Sequence, residues 1–117
     1  MNVELLYIKD KSDPEKERVV ISVLTDCNIG DYVLFDTTYS GNQVSNKLRH
    51  SYWFPDKKVS KGDKVILYTK KGREKVKENL SGTKSHFFYW NLENTIWNKD
   101  EDCALLMKIE DYSVLES

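Results

Sequence analysis

Short apolar runs separated by turn residues are the feature of this sequence that most constrains its fold. Several of the runs alternate apolar with polar side chains, as half-buried strands do. All five glycines and both prolines lie outside the runs, and no segment sustains the 3.6-residue period of an amphipathic helix. The pattern predicts an all-β antiparallel sandwich or barrel. The runs cover residues 3–7, 19–24, 32–35, 48–54, 65–68, 87–90 and 103–109.

The length of 117 residues predicts a single domain over residues 1–117, because a chain of this size supports one hydrophobic core. Hydrophobic residues make up 39% of the chain, which excludes a disordered protein. No apolar run approaches the roughly 20 residues of a membrane-spanning helix, and the N-terminus lacks the pattern of a signal peptide. We therefore expect a soluble, cytoplasmic protein that does not insert into membranes.

The charges are unevenly distributed, although the net charge is only −1. Residues 47–85 hold 12 basic and 4 acidic side chains, whereas the segments on both sides are acidic. One interpretation is a solvated face whose lysines also keep edge strands from pairing. The other is a binding site for phosphate, RNA, DNA or an acidic protein surface. The candidate basic patch, expected at one end of the sandwich, consists of Lys57, Lys58, Lys61, Lys64, Lys70, Lys71, Arg73 and Lys75.

Two residues predict where the middle strands end and turn. Pro55 lacks an N–H group and must end the strand that precedes it, and Gly62 supplies the positive φ for a hairpin into the strand at 65–68.

Two longer connections are also visible in the sequence. Residues 10–17 are polar and charged, which predicts a solvated loop. The connection at 70–85 has no clear strand signal, and residues 73–80 within it have the spacing for two helical turns.

Three segments together resemble the lamin tail domain, an immunoglobulin-like module of nuclear lamins that also occurs in bacterial proteins. The first runs from Tyr52-Trp53-Phe54-Pro55 through Gly62 to an apolar strand that ends in Tyr68. The second joins Trp90 to Trp97 through an Asn-containing bend and continues into a polar turn and the strand at 103–107. The third is the glycine–aromatic–x–leucine strand within residues 29–36. The resemblance covers about residues 18–110.

The resemblance implies an immunoglobulin-like antiparallel β-sandwich of about seven to nine short strands. It also implies binding or tethering, because in family members the domain lies beside filament rods, nucleases or other hydrolases and anchors them. Trp90 and Trp97 are expected to pack in the core, where each would bury about 200 Å². The family's turn before the last hairpin is glycine-rich and neutral, whereas here it contains Asp100-Glu101-Asp102.

The residues that could act as nucleophiles, bases or metal ligands form no pattern typical of a catalytic site or a metal site. We therefore expect no catalytic residues, no metal and no cofactor. Cys27 and Cys103 lack the local context of a nucleophile and are expected to be core thiols. His50 falls in an alternating strand register, which favours a partly buried structural imidazole, and His86 enters the aromatic strand. These four residues lack the paired spacing of a zinc site, and the glycine-rich loops that bind phosphate are absent.

We therefore expect a non-catalytic interaction or tethering module that binds another protein chain. The alternative is a nucleic-acid-binding module that uses the basic segment 47–85 through weak, salt-sensitive contacts. Self-association is a further option, in which this segment of one copy contacts the acidic turn of another, formed by Asp100, Glu101 and Asp102.

Overall fold

The computed structural model describes all residues, 1–117, and the fold is an all-β sandwich, as predicted. Its only helical segment is a 3-10 turn, Ile29–Asp31. Eight strands have three or more residues, within the predicted seven to nine, and three further strands have two residues each. The strands are β1 (Val3–Lys9), β2 (Arg18–Val23), β3 (Cys27–Asn28), β4 (Tyr32–Ser40), β5 (Gln43–Val44), β6 (Ser51–Trp53), β7 (Lys58–Val59), β8 (Lys64–Tyr68), β9 (Lys75–Glu78), β10 (Lys84–Tyr89) and β11 (Asp102–Lys108).

The larger sheet has five strands in the order β1-β2-β8-β10-β9. β2 is antiparallel to both β1 and β8, and a shift in register between Leu5 and Tyr7 interrupts the edge strand β1. β8 and β10 run parallel, and they are the only parallel pair in the fold. A parallel pair needs a connection that returns the chain to the same end of the sheet. Here β9 provides it, because the chain forms β9 at the sheet edge and then turns back into β10.

The smaller sheet is built on β4. This strand pairs with β11 on one side and with β6 on the other, in both cases antiparallel. The far end of β4 also pairs with β5, and β3 pairs separately with β7. The two principal sheets form the layers of the sandwich.

The hydrophobic core lies between these layers. Alternate residues of β2 and β8 contribute Ile21 and Val65, and β4 contributes Tyr32. Trp90 and Trp97 belong to the same cluster, so the prediction that both tryptophans are core residues is confirmed.

Two predictions about the connections are wrong. Residues 54–68 do not form a hairpin, because β6 pairs with β4 in the smaller sheet while β8 pairs with β2 and β10 in the larger one. Pro55 does follow the end of β6, and Gly62 has a φ of +91° in the turn before β8, so both residues act locally as expected. Residues 75–78 form strand β9 rather than helical turns, since they pair with β10.

The beginning and the end of the fold lie at one corner. Lys108 Nζ, at the end of β11, donates a hydrogen bond of 2.9 Å to Asn2 Oδ1, next to β1. The backbone N–H of Asn2 also donates to the Tyr32 hydroxyl at 3.0 Å. Residues 109–117 have no regular secondary structure. No helix in the fold has the length and apolar character that a membrane crossing requires.

Candidate interaction surfaces

Aromatic rings form a row on the outer face of the larger sheet. Tyr68 of β8 and Tyr89 of β10 are opposite each other in register, and their ring centroids lie 5.4 Å apart with planes 12° from parallel. Phe87 also stacks on Tyr68, with 6.4 Å between the centroids. Tyr7 of β1 lies on the same face and is 54% exposed. These positions alternate along their strands with core residues, so the strand register turns them outward.

Basic side chains lie over this row. Arg18 and Lys70 are 5.7 and 5.2 Å from the centroid of the Tyr68 ring, and Lys75 is 5.6 Å from that of Phe87. Each distance is within the range of a cation–π interaction. We call this surface the aromatic–basic face, and its members are Tyr7, Tyr68, Phe87, Tyr89, Arg18, Lys64, Lys70, Lys75 and Lys77.

A loop covers one end of the row. Gly72, in the connection between β8 and β9, lies so close to the Tyr89 ring that a Cβ at this position would overlap the ring. Its backbone N–H donates a hydrogen bond of 3.0 Å to Asn91 Oδ1. These contacts fix the loop on the sheet and keep the neighbouring Lys70 on this face.

The predicted basic patch is divided between two places, so the expectation that it occupies one end of the sandwich is wrong. One group precedes β8 and the other follows it, and a strand of this length separates them by about 13 Å or more. Lys64 and Lys75 lie on the outer face of the sheet. The group before β8 is Lys57, Lys58 and Lys61, and the group after it is Lys70, Lys71 and Arg73.

An apolar surface lies on the outer face of the smaller sheet. Val33 of β4 pairs with Trp53 of β6 on one side and with Met107 of β11 on the other. Phe35 pairs with Leu105 in the next outward row. Trp53 is 53% exposed. We call this surface the apolar face and define it by Val33, Phe35, Trp53, Leu105 and Met107.

Trp53 is held at the edge of the apolar face. Its indole Nε1 donates a hydrogen bond of 2.8 Å to the carbonyl oxygen of Gly30. Tyr112 packs edge-to-face against the indole, with 5.3 Å between the ring centroids. Residues 109–114 line a groove along the apolar face, and Val114 at its rim remains 79% exposed. The groove is therefore accessible to solvent.

Asp102 is not part of an acidic contact surface, which corrects the prediction for the acidic turn. Its carboxylate is buried, pairs with Arg49 at 2.9 Å and accepts two backbone N–H groups of the turn. Burial alone would raise the pKa of Asp102, but these hydrogen bonds and the Arg49 charge outweigh it and lower the pKa. Of the three acidic residues in this turn, only Asp100 and Glu101 are exposed to solvent.

Glu17 is a buried structural residue that sequence reasoning missed, because its segment was expected to be a solvated loop. It is 1% exposed, and no basic side chain pairs with it. Oε1 accepts the backbone N–H groups of Ser12 and Trp97, and Oε2 accepts the Thr69 hydroxyl and the backbone N–H of Ile96. Only its position directly before β2 distinguishes it in sequence from its acidic neighbours. Glu17 therefore joins three loops at one end of the sandwich.

The two histidines each contact an aspartate. His86 is buried with its Nε2 2.8 Å from Asp63, whereas His50 has a side chain 44% exposed and its Nδ1 3.0 Å from Asp36. Burial alone would raise the pKa of Asp63, but hydrogen bonds from His86 and two backbone N–H groups lower it. His50 is more exposed than the structural imidazole that its register predicted.

The two cysteines are free and partly buried, and Cys27 packs against the hydrophobic core, whereas Cys103 is not part of it. Burial raises the pKa of both the Cys27 and the Cys103 thiol, so both stay protonated near neutral pH and are weak nucleophiles. No group of three or more His, Cys, Asp and Glu side chains is arranged to hold a metal ion.

Among known proteins, no protein-family model matches the chain and no curated protein matches it. The functional assignment therefore rests on the aromatic–basic face and the apolar face.

Proposed function

We propose that this protein is a non-catalytic interaction module that binds another protein chain through its apolar face. The observation that carries the proposal is the contiguous row of Trp53, Val33 and Met107 across three strands. Exposed apolar patches on folded domains mark sites of contact with other proteins. The resemblance to the lamin tail domain supports the same role, because it implies tethering.

Trp53 is suited to anchor such a partner. Tryptophan is enriched among the residues that contribute most to protein–protein binding. The hydrogen bond to Gly30 and the contact with Tyr112 already orient the indole, so the side chain gives up little freedom when a partner binds.

We expect the affinity of the proposed protein contact to depend only weakly on salt concentration. The charged residues that border the groove are Lys108, Glu110 and Asp111, whereas the centre of the apolar face carries no charge. Ionic screening weakens contacts between exposed charges and leaves apolar contacts largely unchanged.

Site-specific photocrosslinking tests this proposal. A photoreactive phenylalanine analogue replaces Phe35 in the full chain, in cells that make the protein, because Phe35 lines the same face and its replacement leaves Trp53 in place. Irradiated samples are examined for adducts of defined mass. A partner bound on the apolar face gives a discrete adduct. The matched control carries the same analogue at Leu80, which is fully exposed in the hairpin between β9 and β10.

A second substitution shows whether the adduct depends on the apolar face. Met107→Glu places a charge on the apolar face, on the strand next to position 35 and in the same cross-strand row as Trp53. This substitution is expected to abolish the adduct, because burial of an unpaired charge is unfavourable. Met107 is exposed, so circular dichroism should show an intact fold. The absence of an adduct at position 35, equal adducts at positions 35 and 80, or an adduct that survives Met107→Glu would contradict the proposal. An adduct at twice the mass of the chain would identify the partner as a second copy.

A further inference from the structure

We infer that the aromatic–basic face binds single-stranded nucleic acid, at a site separate from the protein contact on the apolar face. The face combines a row of rings with basic groups, and this combination matches the two chemical features of a single strand. Phosphates require positive charge, and unpaired bases stack on aromatic side chains.

Positive charge predominates on this face. The acidic side chains at its margin are Glu4, Asp10 and Glu15, of which Asp10 pairs with Arg18 at 2.8 Å and Glu15 with Lys70 at 3.5 Å. Exposed pairs of this kind contribute little energy, so a phosphate can replace the carboxylate. The basic side chains of the face are Arg18, Lys64, Lys70, Lys75 and Lys77.

The rings favour a single strand over a duplex. Tyr68 and Phe87 are half-buried and stand between basic side chains, while Tyr7 is exposed further along the same face. Bases in a duplex are already paired and stacked, and only its phosphates would reach the surface. A single strand can engage the rings and the basic groups together.

The width of the larger sheet suits a short segment of single-stranded nucleic acid. Four spacings of about 4.8 Å separate β1 from β9, which gives a width of about 19 Å. This width corresponds to about five nucleotides at the stacked spacing of about 3.4 Å. The basic group before β8 lies outside this surface and provides a matched control.

Fluorescence anisotropy with the full chain tests the inference. The probes are a labelled single strand of about 12 nucleotides and a duplex of the same length, with inorganic polyphosphate as competitor. The test variant is Lys75→Glu with Lys77→Glu, both on β9. The control variant makes the same charge change away from the face, through Lys58→Glu with Lys61→Glu. All four side chains are exposed, and a thermal melt checks that each variant is folded.

We expect the test variant to bind the single strand at least about tenfold more weakly and to lower the salt slope by about 1.4, at about 0.7 for each phosphate that is no longer neutralised. The control variant should stay within about threefold of the original chain. Phe87→Leu should weaken binding about fivefold or more with an unchanged salt slope, because the substitution removes a stacking surface and leaves every charge in place.

Four results would overturn the inference. The first is that no probe binds at low salt, and the second is that the two charge variants weaken binding equally. The third is that the duplex binds as tightly as the single strand. The fourth is that polyphosphate competes as well as an oligonucleotide at the same phosphate concentration. The last two would show that the face recognises phosphate alone.

Discussion

Glu17 is a buried carboxylate that accepts four hydrogen bonds without a cationic partner. Its donors come from the loop before β2, from the end of β8 and from the segment that follows β10. A buried donor without an acceptor costs about 1–3 kcal/mol, so this one side chain contributes strongly to the position of all three loops.

We predict that Glu17→Gln lowers the free energy of unfolding by about 3 kcal/mol, because the amide nitrogen cannot accept the two donors that one carboxylate oxygen serves. Urea denaturation measures the change. Glu15→Gln is the control, since Glu15 is exposed and its effect should stay within about 0.5 kcal/mol. Equal stability of the two variants would show that the four hydrogen bonds do not stabilise the fold.

The lowered pKa values of Asp63 and Asp102 make the stability of the fold depend on pH in the acid range. The folded-state pKa of each is lowered, so each contributes stability that is fully present above the unfolded value of about 3.9 and is lost as the pH falls through the folded value. We predict that stability declines below about pH 4 and that Asp102→Asn reduces the decline.

Urea denaturation between about pH 6 and 2.5 measures this effect. The difference in stability between the original chain and Asp102→Asn should be largest at the upper end and should narrow with acid. Asp100→Asn, in the same turn but exposed, should follow the original chain. A gap that stays constant with pH would rule out the contribution of the Asp102 carboxylate.

At the scale of elements, the loop between β8 and β9 depends on the absence of a side chain at Gly72. The loop lies on the Tyr89 ring, and a Cβ would overlap that ring. We predict that Gly72→Ala lowers stability by about 1–3 kcal/mol, as overpacking does. Thermal unfolding measures the change. Lys71→Ala, the adjacent exposed position, should change stability by less than about 1 kcal/mol, and equal melting of both variants would contradict the close approach.

Strands with their own apolar pattern were predictable from the sequence. β2, β8 and β10 carry such patterns, and each was identified close to its observed position. All four residues of β9 are exposed, so it carries no such signal and owes its conformation to pairing with β10. The parallel arrangement of β8 and β10 was unpredictable for the same reason, since it depends on where β9 lies.

The candidate surfaces were only partly predictable. Lys64, Lys70 and Lys75 were identified as basic candidates. The face also needs Arg18 and rings from other strands, which only the register brings together. Asp102 appeared as one more acidic residue of a turn because sequence does not show the ion pair with Arg49, 53 positions away.

For the whole molecule, the charge pattern no longer favours head-to-tail association. Asp100 and Glu101 remain as outward carboxylates of the acidic turn, and two exposed ion pairs contribute at most about 2 kcal/mol. A dissociation constant of about 1 mM already requires about 4 kcal/mol.

We predict that charge pairing does not make the chain associate. Light scattering at up to about 300 µM should give a mass near 13.7 kDa at both low and high salt. A mass that rises with concentration only at low salt would contradict this prediction. A rise at both salt concentrations that Met107→Glu removes would instead indicate contact through the apolar face.

The hydrogen bond between Asn2 and Lys108 places the start of β1 beside the end of β11. A domain whose ends lie together can be inserted into a surface loop of a larger protein without forcing the flanking host segments apart. The host would then carry two outward-facing sheet surfaces through one point of attachment. A graft of residues 1–109 into an unrelated carrier is thus a practical way to transfer the aromatic–basic face.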